Sequence, residues 1–140
     1  MKPLEPDQQL GYLVARVADQ LARPWAASLR KHGINPRQFS VLALLAADAD
    51  MSQAELARRV MITPQSMSES LAALLDAGLI SRAAVAPGLA ARPALTAAGR
   101  RLLTRAYPLV EASNRAGFSM LTAAERGELG RLLRKVLAVS

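Results

Sequence analysis

Residues Ser52 to Arg82 read SQAELARRVMITPQSMSESLAALLDAGLISR, and this stretch decides the fold. Ser52 is followed three residues later by Glu55. That spacing lets the serine hydroxyl accept from an orphan helix N–H while the glutamate reaches back to the cap. Met51 before the cap and Leu56 after it form an apolar staple, so a short helix starts here and runs to about Val60. A second start follows at once. Thr63 is a good cap, Pro64 suits the first helical position because its missing N–H costs nothing there, and Ile62 with Met67 repeats the staple. Two helices this close in sequence must turn sharply, which makes a helix-turn-helix.

In the second helix Met67, Leu71, Leu74 and Leu75 follow the i, i+4, i+7, i+8 pattern of an apolar stripe set against a core. The opposite face carries Gln65, Ser66, Glu69 and Ala72, short or hydrogen-bonding side chains that let a helix approach base edges in a major groove. Asp76-Ala77-Gly78 ends the helix with a glycine able to take the left-handed cap. Beyond it Leu79 to Val85 has strand character, Pro87-Gly88 signals a turn, and Arg92 to Leu95 can return as a second strand. The expected architecture is therefore mainly α with a small β-hairpin wing.

Working outward, residues 7 to 32 place Leu10, Leu13, Val14, Val17, Leu21, Trp25 and Leu29 on one helical stripe ended by Gly33. At about 1.5 Å per residue this helix would extend roughly 39 Å, longer than a lone lobe needs, so part of its stripe is expected to meet another subunit. Pro24 is expected to kink it. Asn35-Pro36-Arg37-Gln38 opens the next helix, with Ile34 and Phe39 as staple and Val41, Leu42, Leu44 and Leu45 inward. Residues 47 to 51, ADADM, form a short polar turn into the helix pair. Thr96 to about Ser119 reads as a second long helix through Leu102, Leu103, Ala106, Leu109 and Val110, with bends expected at Pro108 and Gly117. Thr122-Ala-Ala-Glu125 is another capping box, opening a last helix with Leu129, Leu132, Leu133, Val136 and Leu137 inward.

The 140-residue chain fits one domain, its 51% apolar content suffices for a core, and it has no run of eighteen apolar residues, so no membrane association is expected. Its first residues, MKPLEPDQQL, lack the apolar segment of a signal peptide, and cytoplasmic residence follows as the default. The absence of cysteine excludes disulfides, thiolate metal sites and thiol redox sensing. Formal charge is +7, and 15 of the 18 basic residues are arginine, the side chain best suited to phosphates. A polyanion is a fitting partner, although an arginine- and alanine-rich genome would give the same composition. Across residues 36 to 105 eight basic residues face five acidic ones, a modest excess for a DNA reader. His32 is the only histidine, so no metal site can be assembled around it. At the end of the first helix its ring is expected to meet the last carbonyls. No nucleophile elbow, glycine-rich phosphate loop, or histidine with a base partner is present, so neither an enzyme nor a cofactor is expected.

The run SxxELAxRxxITPxSxSxxLxxLxxAGLIxR, together with LTAAGRRLL from Leu95 and Gly33-Ile34-Asn35-Pro36-Arg37-Gln38-Phe39, resembles the MarR family of bacterial transcriptional regulators over nearly the whole chain. The resemblance implies a winged helix-turn-helix lobe over residues 35–105, between terminal helices 1–34 and 106–140 that interlock as a dimerisation lobe. It implies a homodimer, usually a repressor, on a pseudo-palindromic operator in double-stranded DNA. It further implies a small aromatic or lipophilic effector in the cleft between the lobes. Tyr12, Arg16, Trp25 and His32 lie on the helix that would line that cleft, though core packing is the commoner role for such aromatics. In the wing the chain departs from the family, whose wings usually carry an Asp followed closely by arginines. Here Pro87-Gly88-Leu89 stands at those positions with only Arg92 beyond, and Pro93 removes a ladder donor, so weaker operator binding than that of a typical relative is expected.

The candidate DNA contacts are Thr63, Gln65, Ser66, Ser68 and Glu69 for base edges, with Arg58, Arg59, Arg82 and Arg92 for phosphates. Helix-start chemistry alone would also explain Thr63 and Ser66. Glu69 has three readings: a base reader, a partner for an arginine in the same chain, or a reason the helix binds loosely. The thin wing and Glu69 also suit a second function, a winged-helix module that docks on protein and has weak or lost DNA binding.

Overall fold

Helix starts and stops written in the sequence set most of the architecture. The computed structural model describes residues 1–83, 87–88 and 91–139. A 3₁₀ turn at Pro6–Gln8 precedes α1 (Leu10–Arg30), α2 (Pro36–Ala47), α3 (Gln53–Val60) and α4 (Pro64–Asp76). Then come β1 (Ile80–Ala83), β2 (Arg92–Leu95), α5 (Ala97–Gly117) and α6 (Ala123–Val139). The first helix is shorter than residues 7 to 32, because Gln9 is extended and separates the 3₁₀ turn from α1. Gly117 is the last residue of α5 and not a bend within it. Ala84 and Val85, expected in the first strand, and Leu89 in the turn lie outside the described residues.

The starts use side-chain caps. Asn35 Oδ1 accepts from Gln38 N–H at 2.8 Å while Gln38 Oε1 accepts from Asn35 N–H at 3.0 Å, and Thr122 with Glu125 forms the same reciprocal pair. The two Thr122 donors, backbone N–H first, hold the Glu125 carboxyl below the usual carboxylate range. Ser52 makes only half of its expected box: its Oγ accepts from Glu55 N–H at 3.2 Å, and among the described residues the Glu55 carboxylate returns no bond.

Three helices stop in one way. Ile34 N–H reaches Leu29 O after α1, Ile62 N–H reaches Ala57 O after α3, and Leu79 N–H reaches Leu74 O after α4. Each closes over a residue in the left-handed region: Gly33 at φ 75°, Gly78 at φ 72°, and Met61 at φ 61°. This is the paired-bond helix ending that normally uses glycine. Met61 fills the glycine place in the turn between α3 and α4, and its side chain is 83% exposed.

The chain divides into two compact units, one of Met1–Arg23 with Glu111–Ser140 and the other of Pro24–Val110. The second holds the core. Leu29, Val41, Leu42, Leu56, Met67, Leu71, Leu74 and Ala106 are fully buried there, so this unit extends past residues 35–105 on both sides. β1 and β2 pair antiparallel, with Ile80 opposite Leu95 and Arg82 opposite Pro93. The Pro93 ring is itself fully buried, a packing role that offsets its missing donor. Thr96 locks the start of α5 to the end of α4: its hydroxyl donates to Gly78 O at 2.7 Å and its N–H donates to Leu79 O at 3.1 Å. Gly99 sits so close beneath that a Cβ there would stand 2.2 Å from Leu79 O.

In the first unit no described residue is buried. A Cβ on Gly117 would stand 2.2 Å from Leu21 Cδ2, so the end of α5 packs tightly on α1 within this unit. Leu10, Leu13, Val14, Val17, Leu132, Leu133, Val136 and Leu137 are all exposed in the single chain. The last four were expected inward. One helix face cannot seal them without a second apolar surface.

Gly99→Ala is expected to lower unfolding stability by about 1–3 kcal/mol, because the obstructing atom is backbone and cannot rotate away. Met61→Val is expected to cost about 1–2 kcal/mol through the left-handed backbone, while Met61→Gly costs nothing or stabilises. Urea midpoints of the variants check both.

Candidate nucleic-acid interface

The outward face of α4 follows from what its inward face buries. Met67, Leu71 and Leu74 are fully buried, each contributing about 1.5–3 kcal/mol to seating the helix. With that stripe fixed, Gln65, Ser68, Glu69 and Ala72 are exposed along the other side. Thr63 and Ser66 are engaged locally. Thr63 Oγ1 accepts from Ser66 N–H at 3.1 Å and donates to Ser66 Oγ at 3.0 Å, so helix-start chemistry uses the Thr63 proton and one Ser66 lone pair.

Ser68 belongs to a bond chain that sequence reasoning missed. Gln53 Nε2 on α3 donates to Ser68 Oγ at 2.7 Å, and Gln53 Oε1 accepts from Arg82 Nη1 on β1 at 3.4 Å. Three elements thus meet through one glutamine. Residues fifteen and twenty-nine positions apart leave no local pattern that would reveal this, only the polar character of Gln53.

Arg58 and Arg59 are exposed in the last turn of α3 and make no side-chain hydrogen bond or ion pair among the described residues. Both guanidinium groups remain available to an anion. Arg92 differs. It is half-buried, and its Nη1 donates to the backbone carbonyl of Asp50, tying the returning strand to the loop before α3. Its first role is internal.

Glu69 makes no ion pair among the described residues, so the reading that gave it an arginine partner has no bond behind it. It lines a shallow groove of about 410 Å³ between α4 and the start of α2, together with Asn35, Arg37, Ser66 and Ser70. Arg37, on that groove, is a second residue the sequence did not single out.

The four residues considered for an effector divide between the units. In the first, Arg16 Nη1 donates to Tyr12 Oη at 3.0 Å and the guanidinium lies 5.8 Å from that ring's centroid. In the second, Trp25 meets Phe39 edge to face at 6.1 Å, and Phe39 meets Tyr107 likewise at 6.0 Å. Trp25 Nε1 is buried with no hydrogen-bond partner among the described residues. Among the described residues the His32 ring makes no hydrogen bond to the end of α1, where a cap was expected. Its backbone N–H donates to Leu29 O, and the helix end is closed by Gly33 and Ile34. Among the described residues no three His, Asp or Glu side chains gather around a metal position, and no helix is long and apolar enough to cross a membrane.

Comparison with known proteins agrees with this geometry. The model of the MarR family matches residues 32–88. The HTH-type transcriptional repressor Rv2887 of Mycobacterium tuberculosis is 38% identical over 134 residues, covering 95% of this chain and 96% of that protein. The crystal structure of Rv2887 in complex with salicylic acid aligns with a TM-score of 0.77 over 93% of this chain and 97% of that one, at 38% identity. Its complex with DNA aligns with a TM-score of 0.75 over 93% and 98%, at 37% identity.

Arg58→Ala and Arg59→Ala are expected to flatten the dependence of log affinity on log salt for duplex DNA by about 0.9 for each phosphate that is no longer neutralised. Arg92→Ala is expected to leave that slope unchanged and to lower stability by about 1 kcal/mol, because the Asp50 carbonyl loses its donor. Fluorescence anisotropy across a salt series, with urea unfolding beside it, separates the two outcomes.

Proposed function

This chain belongs to the MarR family of DNA-binding transcriptional regulators, and we propose that it works as a homodimeric repressor on a pseudo-palindromic operator, released by a small aromatic effector. The observation that carries the reading is α4: a helix seated on three fully buried side chains with Gln65, Ser68 and Glu69 outward. A helix so mounted can enter a major groove without giving up its core. Arg58, Arg59 and Arg82 supply the sequence-blind phosphate attraction.

Dimerisation is supported by the first unit, whose apolar α1 and α6 side chains are exposed in the single chain, Leu10 at 80% and Val136 at 70%. A second copy, which brings the same apolar side chains, is the partner proposed to cover them. Two linked readers would address half-sites one helical turn apart, about 34 Å. An aromatic acid is suggested as effector by the salicylic acid complex of Rv2887. The buried, unpartnered Trp25 Nε1 supports a hydrogen-bond acceptor on that effector. His32 belongs to the same unit as Trp25 and is the remaining candidate there, whereas Tyr12 and Arg16 belong to the other unit. The proposed action is binding and release in the cytoplasm, without catalysis.

Selection from a randomised duplex pool followed by gel shift tests the regulator reading. Enrichment of an inverted repeat is expected, with affinity falling steeply as salt rises. Affinity for a protein surface that ignores salt, with no enriched sequence, would favour the docking-module function instead. Leu13→Asp with Val17→Asp is expected to halve the solution mass, from two 14.9 kDa chains to one, and to weaken duplex binding at least tenfold. Light scattering and gel shift on the same preparation check it. Salicylate in large excess is expected to raise the melting temperature by several degrees and to weaken the duplex complex.

A further inference from the structure

The Arg82–Gln53–Ser68 bond chain constrains what α4 can read. An arginine guanidinium has only donors, so the Gln53 atom facing Arg82 must be its carbonyl Oε1. The amide is planar, which turns its NH₂ toward Ser68, where Nε2 donates to Oγ at 2.7 Å. One of the two Ser68 lone pairs is thereby engaged from inside, and the hydroxyl proton is left free to donate outward. Serines in helices often return that proton to the carbonyl one turn back, as Ser40 does to Pro36 O at 3.0 Å. Ser68 makes no such bond among the described residues. Its side chain is exposed at the centre of the stripe formed by Gln65, Ser68, Glu69 and Ala72.

We propose that Gln53, placed between Arg82 and Ser68, keeps the Ser68 proton free by donating to the hydroxyl from inside, so that Ser68 donates to an acceptor-bearing base edge of the duplex. Guanine offers O6 and N7, and thymine offers O4, whereas cytosine presents a donor at N4. Gln53 is a positioning residue here: it touches no base and acts through Ser68. The inference rests on the DNA-binding reading of α4. It adds a rule of selection at one base step, and it links that rule to the wing strand, because Arg82 sets the amide.

Replacement of Gln53 by glutamate reverses the logic. A carboxylate accepts from Arg82 with one oxygen and from Ser68 with the other. The Ser68 proton is then drawn inward and a lone pair faces out. Added negative charge would weaken phosphate attraction at every sequence equally. A switch in base identity is a separate signature.

The experiment is selection from a randomised duplex pool with wild type, Ser68→Ala, Gln53→Leu and Gln53→Glu, followed by affinities for the enriched duplexes in a double-mutant cycle of Gln53→Glu and Ser68→Ala. For wild type, one position in each half-site is expected to prefer guanine or thymine by about fivefold, the worth of one net hydrogen bond. Ser68→Ala and Gln53→Leu are expected to flatten that position. Gln53→Glu is expected to shift it to cytosine in the Ser68 background only. An enriched operator with no position sensitive to Ser68, or a uniform loss of affinity with base preferences intact, overturns the inference and leaves the regulator reading standing. Failure of the wild type to enrich any sequence overturns both.

Discussion

The burial of Met67, Leu71 and Leu74 is the constraint from which the rest of the reader unit follows. These three side chains cannot leave the core without losing several kcal/mol, so the rotation of α4 about its own axis is fixed. Fixing that rotation decides which residues face out and therefore what the helix can touch. The neighbouring joints serve the same end. The left-handed turn at Met61 sets the angle between α3 and α4, Gly78 ends α4 cleanly, and Thr96 bonds the next helix to that ending. Gly99 then brings α5 against the Leu79 backbone, and the hairpin leaves from the same corner.

Much of this was legible because helix boundaries depend on local chemistry. Thr63-Pro64, Asn35-Pro36 with Gln38, and Thr122 with Glu125 announce their caps within four residues, and the structure forms each of them. Glycine endings at Gly33 and Gly78 were readable for the same reason. The ending at Met61 was not, since a methionine gives no sign of a left-handed backbone; the two surrounding helix signals imposed it. Gly99 stood inside a recognisable stretch, yet its purpose depends on a carbonyl twenty residues earlier. The length of α1 was overestimated because the residues flanking the Leu10–Leu29 stripe give no sign of where the backbone leaves the helix, which it does at the extended Gln9 and after Arg30.

The candidate interface was readable as a face and unreadable as a network. Periodicity predicted which side of α4 is free, and Gln65, Ser68 and Glu69 are exposed there. It did not show that Ser68 is tied through Gln53 to Arg82, or that Arg92 is committed to Asp50 O. Those bonds join residues far apart in the chain, and only the folded backbone brings them together. The last helix shows the converse limit. Its leucines form a correct stripe, but a stripe does not say whether its partner lies in the same chain. Among the described residues the unit that carries this stripe has no buried one, which is why a second copy is the proposed partner.

Because the chain has no cysteine, one can be introduced at a chosen position as a unique attachment point. An iron chelate that cleaves DNA locally, attached at residue 65 at the outer start of α4, tests the central claim most directly when the protein sits on a duplex it has selected. Two clusters of cuts about one helical turn apart, centred in successive major grooves, are predicted. Cuts without phase along the duplex, or no cuts from residue 65 when the same reagent at Arg134 on α6 does cut, would contradict the account.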